Sequence, residues 1–219
     1  MWAVLPAVVG ALAGGAVVLA WGVIRGYIPV TFGPEKKGWS RDDWAARPDA
    51  AAALAALADT HAEQVRKPSS RNFLQVTAST PERRVSQKMF WSEAEQSLTS
   101  IVHFGADCEG PPRFVHGGCS AAVADSVMGR CSYMATSTFA VTAKLQVNYR
   151  NGLPLGTTAR LEARLRSRAG RKITTEFTLR SLDSAEGGEP ITYLDGSALF
   201  IDTGRQGPKS GDAAAAKRE

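Results

Sequence analysis

The sequence lacks the residue patterns of a metal site, a disulfide framework and a nucleic-acid-binding motif. Its 219 residues include only three cysteines and three histidines. There is no CxxC pair, and His103, Cys108, His116 and Cys119 do not have metal-ligand spacing, so we expect free thiols and no metal. The net charge of +5 comes from scattered Lys and Arg residues. Without a nucleic-acid motif, this charge does not favour nucleic acid as a partner.

Charge is also absent from residues 2–24. At about 1.5 Å per residue, this segment reaches roughly 35 Å as a helix, enough to cross a hydrocarbon core of about 30 Å. No basic residue precedes it and it is not arginine-rich, which argues against a cleaved signal peptide or a mitochondrial presequence. We therefore expect a single transmembrane anchor at 1–25. Arg25, Lys36 and Lys37 follow the uncharged run 2–24, so the positive-inside rule predicts a single-pass membrane protein whose body faces the cytosol or the mitochondrial matrix.

The remaining chain divides into three parts by composition. Residues 26–84 are predicted to form a linker with N-terminal helices, including a helix at 49–65 capped by Asp49. Residues 85–202 have the composition of one globular domain. Residues 203–219 are of low complexity, and we expect them to be a disordered tail.

The globular domain begins where the hydrophobic period changes from helical to two. A glycine-led helix that is apolar on most sides is predicted at 116–134. Strands are predicted at 85–91, 98–104, 140–149, 157–168, 172–182 and 191–201. This order predicts an α+β domain in which a curled antiparallel sheet wraps around one central helix.

The most informative motif is EGPPRFVHGGCSAAVAD, residues 109–125. Gly117 and Gly118 begin the helix and leave backbone N–H groups free at the positive end of its dipole. Such a turn can bind an anion or the oxyanion of an acyl-transfer transition state. Asp125, a carboxylate within an apolar helical face, is a candidate for chemistry. Cys119 is a candidate nucleophile, although a small buried packing residue is the favoured interpretation.

Four segments together resemble one known family. FVHGG at 114–118, Asp125 on the following helix, VTAKLQVNYR at 141–150 and GRK at 170–172 resemble the hotdog-fold acyl-CoA thioesterases of the PaaI-like group, above all thioesterase superfamily members four and five. The resemblance covers about residues 85–201. It implies a hotdog fold and hydrolysis of medium- to long-chain fatty acyl-CoA, with no cofactor other than the coenzyme A carried by the substrate.

The resemblance also implies roles for residues at matching positions. Asp125 would be the catalytic carboxylate, acting as general base or as nucleophile, and Thr142 would orient the attacking water. His116, with the amide of Gly117 or Gly118, would bind the oxyanion. From the residues alone, His116 is equally well interpreted as a structural hydrogen-bonding group at the turn.

The resemblance further implies that Asn148, Arg150 and Arg171 bind the nucleotide end of coenzyme A. Arg150 stands where we expect lysine in this family, which keeps the charge but changes the donor geometry. Gly118 and Asp125 are roughly 10 Å apart along a helix axis, so one chain cannot bring both to one carbonyl carbon. We therefore expect a site shared across a dyad, in a homodimer or a dimer of dimers.

Two other functions remain to be compared with hydrolysis. A non-catalytic acyl-CoA-binding or scaffold protein at a membrane would keep the fold and the basic residues, but it has no need for a carboxylate at Asp125. A hotdog dehydratase or hydratase requires a His/Asp acid–base pair, and no second acid accompanies His116 in a recognisable motif. The sequence thus favours a membrane-anchored acyl-CoA thioesterase.

Overall fold

The computed structural model describes residues 44–64, 74, 84–182 and 189–206, all within the compact unit Trp39–Glu219. Within these ranges no helix combines the length and the apolar character needed to span a bilayer. The anchor predicted at 1–25 lies outside the described residues, as do residues 207–219 of the tail predicted at 203–219. These two predictions therefore remain predictions.

The described chain folds into one antiparallel sheet with a long helix packed against it. Its elements are α1 Pro48–Ala58, β1 Ala62–Glu63, β2 Val85–Ser92, β3 Ser97–Phe104, α2 Gly117–Thr136, β4 Thr138–Tyr149, β5 Thr158–Ala169, β6 Lys172–Ser181 and β7 Thr192–Gln206. The strand order is β1-β2-β3-β5-β6-β7-β4, and neighbouring strands all run antiparallel. The predicted arrangement of sheet and central helix is confirmed.

Helix α2 packs against the sheet at the centre of the main core. It contributes a series of fully buried side chains, namely Val123, Ala124, Val127, Met128 and Cys131. These join apolar side chains from β3, β5, β6 and β7. The helix continues past the predicted end at 134 to Thr136, where Ser137 adopts a left-handed conformation with φ 55°. Its N–H bonds the carbonyl of Tyr133 at 2.8 Å and closes the helix.

The predicted 49–65 helix is too long, and its cap is wrong. Helix α1 begins at Pro48, because the proline ring presets the φ of the first helical position. The N-cap is Arg47, which makes no side-chain capping bond, and Asp49 lies within the first turn. The helix ends at Ala58, since β1 pairs instead with the edge of β2. That pairing is a tertiary contact that local sequence does not encode.

Helix α1 covers the outer face of β2 and β3 and buries a second, smaller core. Its members are Trp44, Ala50, Leu57, Phe90, Ile101 and Leu182. The sheet therefore has an apolar outer face at one edge, beneath α1, in addition to the inner face that packs on α2.

His103 of β3 is buried beside this second core. Its ring stacks on Trp44 with a centroid distance of 6.2 Å, and its Nδ1 lies 3.0 Å from the hydroxyl of Thr158. Burial, assisted by the charge of Arg47, lowers the pKa of His103 to about 4. The imidazole is therefore neutral in the folded protein near neutral pH.

Strands β4 and β7 pair through an irregularity that positions the site. Their register shifts between Thr142 and Lys144, and the extra residue allows both Thr142 and Tyr149 to face α2. The paired backbones lie close together at Gly196, where a Cβ would overlap the carbonyl oxygen of Gln146. Strand β7 also continues past the predicted boundary at 202, because its last residues pair with the start of β4.

Candidate active site

Helix α2 begins at a turn closed by a histidine side chain. His116 is the N-cap, and its Nδ1 accepts the N–H of Gly118 at 3.0 Å, as a Ser or Asp cap would. A Cβ at position 118 would lie 3.0 Å from Cε1 of this imidazole, so glycine makes room for the cap. The Gly118 amide is therefore occupied. Of the two glycines in the motif, Gly117 is the one left to bind an oxyanion.

The N–H of Gly117 makes no hydrogen bond to any of the described residues. The carbonyl of His116, in the same peptide group, accepts the N–H groups of Cys119 at 2.9 Å and Ser120 at 3.2 Å. These bonds polarise the N–H of the same peptide group. Because this N–H lies at the positive end of the α2 dipole, it can stabilise a developing negative charge.

Asp125 and Thr142 are brought together by the packing of β4 on α2. The hydroxyl of Thr142 donates to Oδ1 of Asp125 at 2.9 Å, and Asp125 is half-buried. The described part of the chain supplies no other hydrogen bond to this carboxylate. One oxygen is thus oriented by Thr142 and the other can accept a proton.

The amide and the carboxylate are well separated within one chain. Gly117 and Asp125 are both on α2, and the rise of about 1.5 Å per residue places them roughly 12 Å apart along the axis. If a carbonyl oxygen accepts the Gly117 N–H, the carbon of that carbonyl is out of reach of Asp125 in the same chain. One chain therefore contains both the free N–H and the carboxylate, but it does not bring the two within reach of the same carbonyl group.

Asn148 and Arg150 converge on a residue that carries no sequence motif, Asp195 of β7. The guanidinium of Arg150 bonds both carboxylate oxygens, at 2.6 and 3.2 Å, and the amide of Asn148 donates to Oδ1 at 2.7 Å. The bond from Arg150, followed by that from Asn148, lowers the pKa of Asp195. A charged residue in an alternating strand is typical of a solvent-facing position, so Asp195 gives no signal in the sequence.

Arg171 lies at the other end of the same strands. It sits in the β5–β6 turn, and its Nε donates to the carbonyl of Asp202 at 2.9 Å. Asp195 and Asp202 are roughly 24 Å apart along β7 at about 3.4 Å per residue. Within one chain, Arg171 therefore does not join Asn148 and Arg150 in one binding site.

Two hydroxyl groups at the helix start were also missed by sequence reasoning. Tyr149 and Ser120 both donate to the carbonyl of Gly117, each at 2.9 Å. Tyr149 is the last residue of a predicted strand, and its only sequence signal is its place in the VNY segment.

Cys119 lies next to the site but packs against the main core. Cys108 is buried beside it, and the hydrogen bond between the two thiols, together with burial, raises the pKa of Cys108. Both thiols are free. Cys119 itself is half-buried, and the hydrogen bond from Cys108 lowers the pKa of its thiol.

Comparisons with known proteins give the same family as the motifs. Residues 113–187 match the thioesterase superfamily. The acyl-coenzyme A thioesterase THEM4 of Xenopus laevis is 34% identical over 114 residues, which are 52% of this chain and 48% of that protein. The acyl-coenzyme A thioesterase THEM5 of Mus musculus is 25% identical over 113 residues, 52% of this chain and 43% of that protein. The predicted resemblance is confirmed.

A solved structure of a thioesterase superfamily protein superposes with a TM-score of 0.50 at 24% identity. It covers 77% of this chain and 82% of that protein. At this identity the likeness shows the fold, and it agrees with the sheet and helix described above. The chain spans about half the length of the curated relatives it matches.

Proposed function

We propose that the protein is an acyl-CoA thioesterase that releases a fatty acid and coenzyme A, because residues 113–187 of this chain match the thioesterase superfamily. The observation that carries this proposal is the 2.9 Å bond from Thr142 to Asp125, on the helix whose first N–H is free. Two relatives named acyl-coenzyme A thioesterases support the class of substrate.

The geometry supports a route through water. Asp125 takes a proton from a water molecule whose oxygen bonds the thioester carbon, and Thr142 holds the carboxylate in the orientation that this requires. The N–H of Gly117 stabilises the oxyanion. The C–S bond then breaks, and the thiolate of coenzyme A receives the proton. Direct attack by Asp125, through an anhydride that water cleaves, uses the same groups. Neither route needs a metal or another cofactor.

A second copy of the chain completes the site in this proposal. Strand β4 is at the end of the sheet, and it carries exposed apolar side chains at Phe139, Val141, Leu145 and Tyr149. A long apolar edge of this kind is a surface for pairing. Two copies related by a dyad, with their α2 helices antiparallel, bring Gly117 of one copy to Asp125 of the other. Larger assemblies would be dimers of this dimer.

The same dyad explains the separated basic residues. Antiparallel pairing of two β4 strands places the end that carries Asn148 and Arg150 beside the end near Arg171 of the second copy. Together these side chains can hold the phosphates of coenzyme A. Asp195 orients Arg150 for this contact. The apolar segment at 2–24 supports a membrane anchor and medium- to long-chain acyl groups, with the domain in the cytosol or the mitochondrial matrix.

Thiol-release kinetics on a series from acetyl-CoA to stearoyl-CoA test the proposal. We expect the wild type to prefer the longer chains, and Asp125→Asn to lower kcat about a thousandfold or more. Asp59→Asn, at the exposed end of α1, is the matched control and should keep wild-type turnover. Tight binding of acyl-CoA without thiol release would identify a non-catalytic binding protein instead. Equal rates for the wild type and Asp125→Asn would rule out the mechanism.

A further inference from the structure

The peptide group between Gly117 and Gly118 is held at both of its polar atoms. Its carbonyl accepts the hydroxyls of Tyr149 and Ser120, and its N–H donates to His116. Ser120 and His116 belong to the same helical turn. Tyr149 comes from the end of β4, so its bond is the link between the edge of the sheet and the start of α2.

The Tyr149 ring reaches this position because residue 117 has no side chain. A Cβ at Gly117 would lie 3.3 Å from both Cε1 and the hydroxyl oxygen of Tyr149, which is too close for the ring to remain where it is. The side chain of Tyr149 is nevertheless 56% exposed. In a single chain, before a second copy covers the β4 edge, this hydroxyl could bond water at little cost, so folding of the chain does not require it to bond the Gly117 carbonyl.

The bond does have a consequence for the free amide. Glycine has the widest backbone freedom of any residue. The backbone of Gly117 joins two peptide groups, one that carries the N–H bonded to His116 and one that carries the N–H proposed to bind the oxyanion. Rotation about its backbone would turn the peptide planes on either side of it. Because hydrogen bonds weaken steeply when donor and acceptor are misaligned, such a rotation would reduce stabilisation of the oxyanion.

We propose that Tyr149 is a positioning residue for the oxyanion turn, whose hydroxyl holds the Gly117 carbonyl and thereby aims the Gly117 N–H at the thioester oxygen. The role of Tyr149 deepens the thioesterase function proposed above and rests on it. Tyr149 acts through the backbone of Gly117 and not by contact with the substrate. It affects the chemical step and not the affinity for acyl-CoA.

The test is Tyr149→Phe, which keeps the ring and removes only the hydroxyl. We expect kcat to fall about five- to tenfold, as for the loss of a modest transition-state contribution, while KM stays within about twofold. Amide hydrogen exchange at Gly118, whose N–H is bonded to His116, should become several-fold faster when followed by NMR. Tyr193→Phe, in β7 next to the residue that pairs with Tyr149, is the matched control and should change neither quantity.

Each other result contradicts the inference. Unchanged kcat would mean that the hydroxyl does not position the turn. A rise in KM alone would make Tyr149 a substrate contact, and a loss of kcat without faster exchange would mean that the turn had not moved. If the wild type hydrolyses no acyl-CoA, the thioesterase proposal fails. The exchange measurement then decides the role of Tyr149 in holding the turn.

Discussion

At the scale of single residues, the side chain of His116 determines which backbone N–H can bind an oxyanion. The HGG motif presents two candidate amides, and the cap occupies that of Gly118. A cap of this type satisfies one of the free donors at a helix start. The remaining donor, on Gly117, is held in a peptide whose carbonyl accepts two N–H groups. The choice between the two amides is therefore made by one hydrogen bond.

Substitution of Gly117 by proline tests this assignment directly. Proline is well tolerated at the first position of a helix, where it removes the N–H and adds a ring, and His116 already has the extended backbone that precedes proline, with ψ 128°. We expect Gly117→Pro to lower kcat about a hundredfold or more, measured by thiol release. Gly117→Ala adds a Cβ but keeps the N–H, and we expect it to lose much less activity. Similar losses for the two variants would show that crowding, and not the amide, is responsible.

At the scale of secondary structure, the elements are held in place by side chains that connect them across the sheet. The Thr142–Asp125 bond joins β4 to α2, and the Arg150–Asp195 pair joins the end of β4 to β7. On the outer face, α1 packs on β2 and β3, where Trp44 stacks on His103. Each of these contacts depends on strand register, because a shift of one residue would turn the side chains to the other face.

The buried His103 gives a prediction about stability against pH. Its pKa is about 4 in the folded state and 6.5 ordinarily. Between these values the unfolded chain binds a proton that the folded protein does not, so the free energy of unfolding should fall as the pH is lowered from about 6.5 to about 4. Above this pH window the stability that the neutral His103 contributes is fully present. Below the window, protonation of His103 causes no further loss of the free energy of unfolding.

Urea unfolding at several pH values between 4 and 7.5 measures this effect. The decline in stability of His103→Gln should be shallower than that of the wild type over the same window. His61→Gln, in the turn after α1, is the control and should retain the wild-type slope. Parallel curves for the wild type and His103→Gln would mean that the buried imidazole is not the source of the decline.

At the scale of the whole molecule, the proposed chemistry needs two copies of the chain. Gly117 and Asp125 are roughly 12 Å apart along α2, and Arg171 is roughly 24 Å from the Arg150 end of the strands. In the proposed dimer, a two-fold axis at the β4 edge would bring Gly117 of one copy close to Asp125 of the other. It would also bring Arg171 of one copy close to Arg150 of the other. The exposed apolar side chains of that edge, such as Val141 at 58% and Leu145 at 37% exposure, are the surface that a second copy would cover.

Mixing two inactive variants tests whether the site is shared. Homodimers of Asp125→Asn or of Gly117→Pro contain no complete site, whereas a heterodimer contains one intact site and one with both defects. Random mixing yields about half heterodimers, so about a quarter of wild-type activity should return. The heterodimers can be isolated with two different affinity tags. Heterodimers without recovered activity would place the amide and the carboxylate of one chain in separate sites.

Much of the fold follows from local sequence. The period of two predicts the strands to within a few residues, and the apolar helix with its two glycines predicts α2, because helix and strand periods repeat among near neighbours in the chain. The ends of elements were harder to predict. Helix α1 stops at Ala58 because the next residues pair with β2, and β7 extends to Gln206 because it pairs with Thr138.

The sequence by itself determined the residues available for chemistry: a carboxylate on an apolar helix, a glycine turn at its start and basic residues along the strands. Only the tertiary structure decided how they are used. It assigned the Asp125 carboxylate to Thr142 and the Gly117 carbonyl to Tyr149. Both contacts join residues far apart in the chain. They depend on sheet register and on the irregularity in β4, and no local pattern of residues encodes either one.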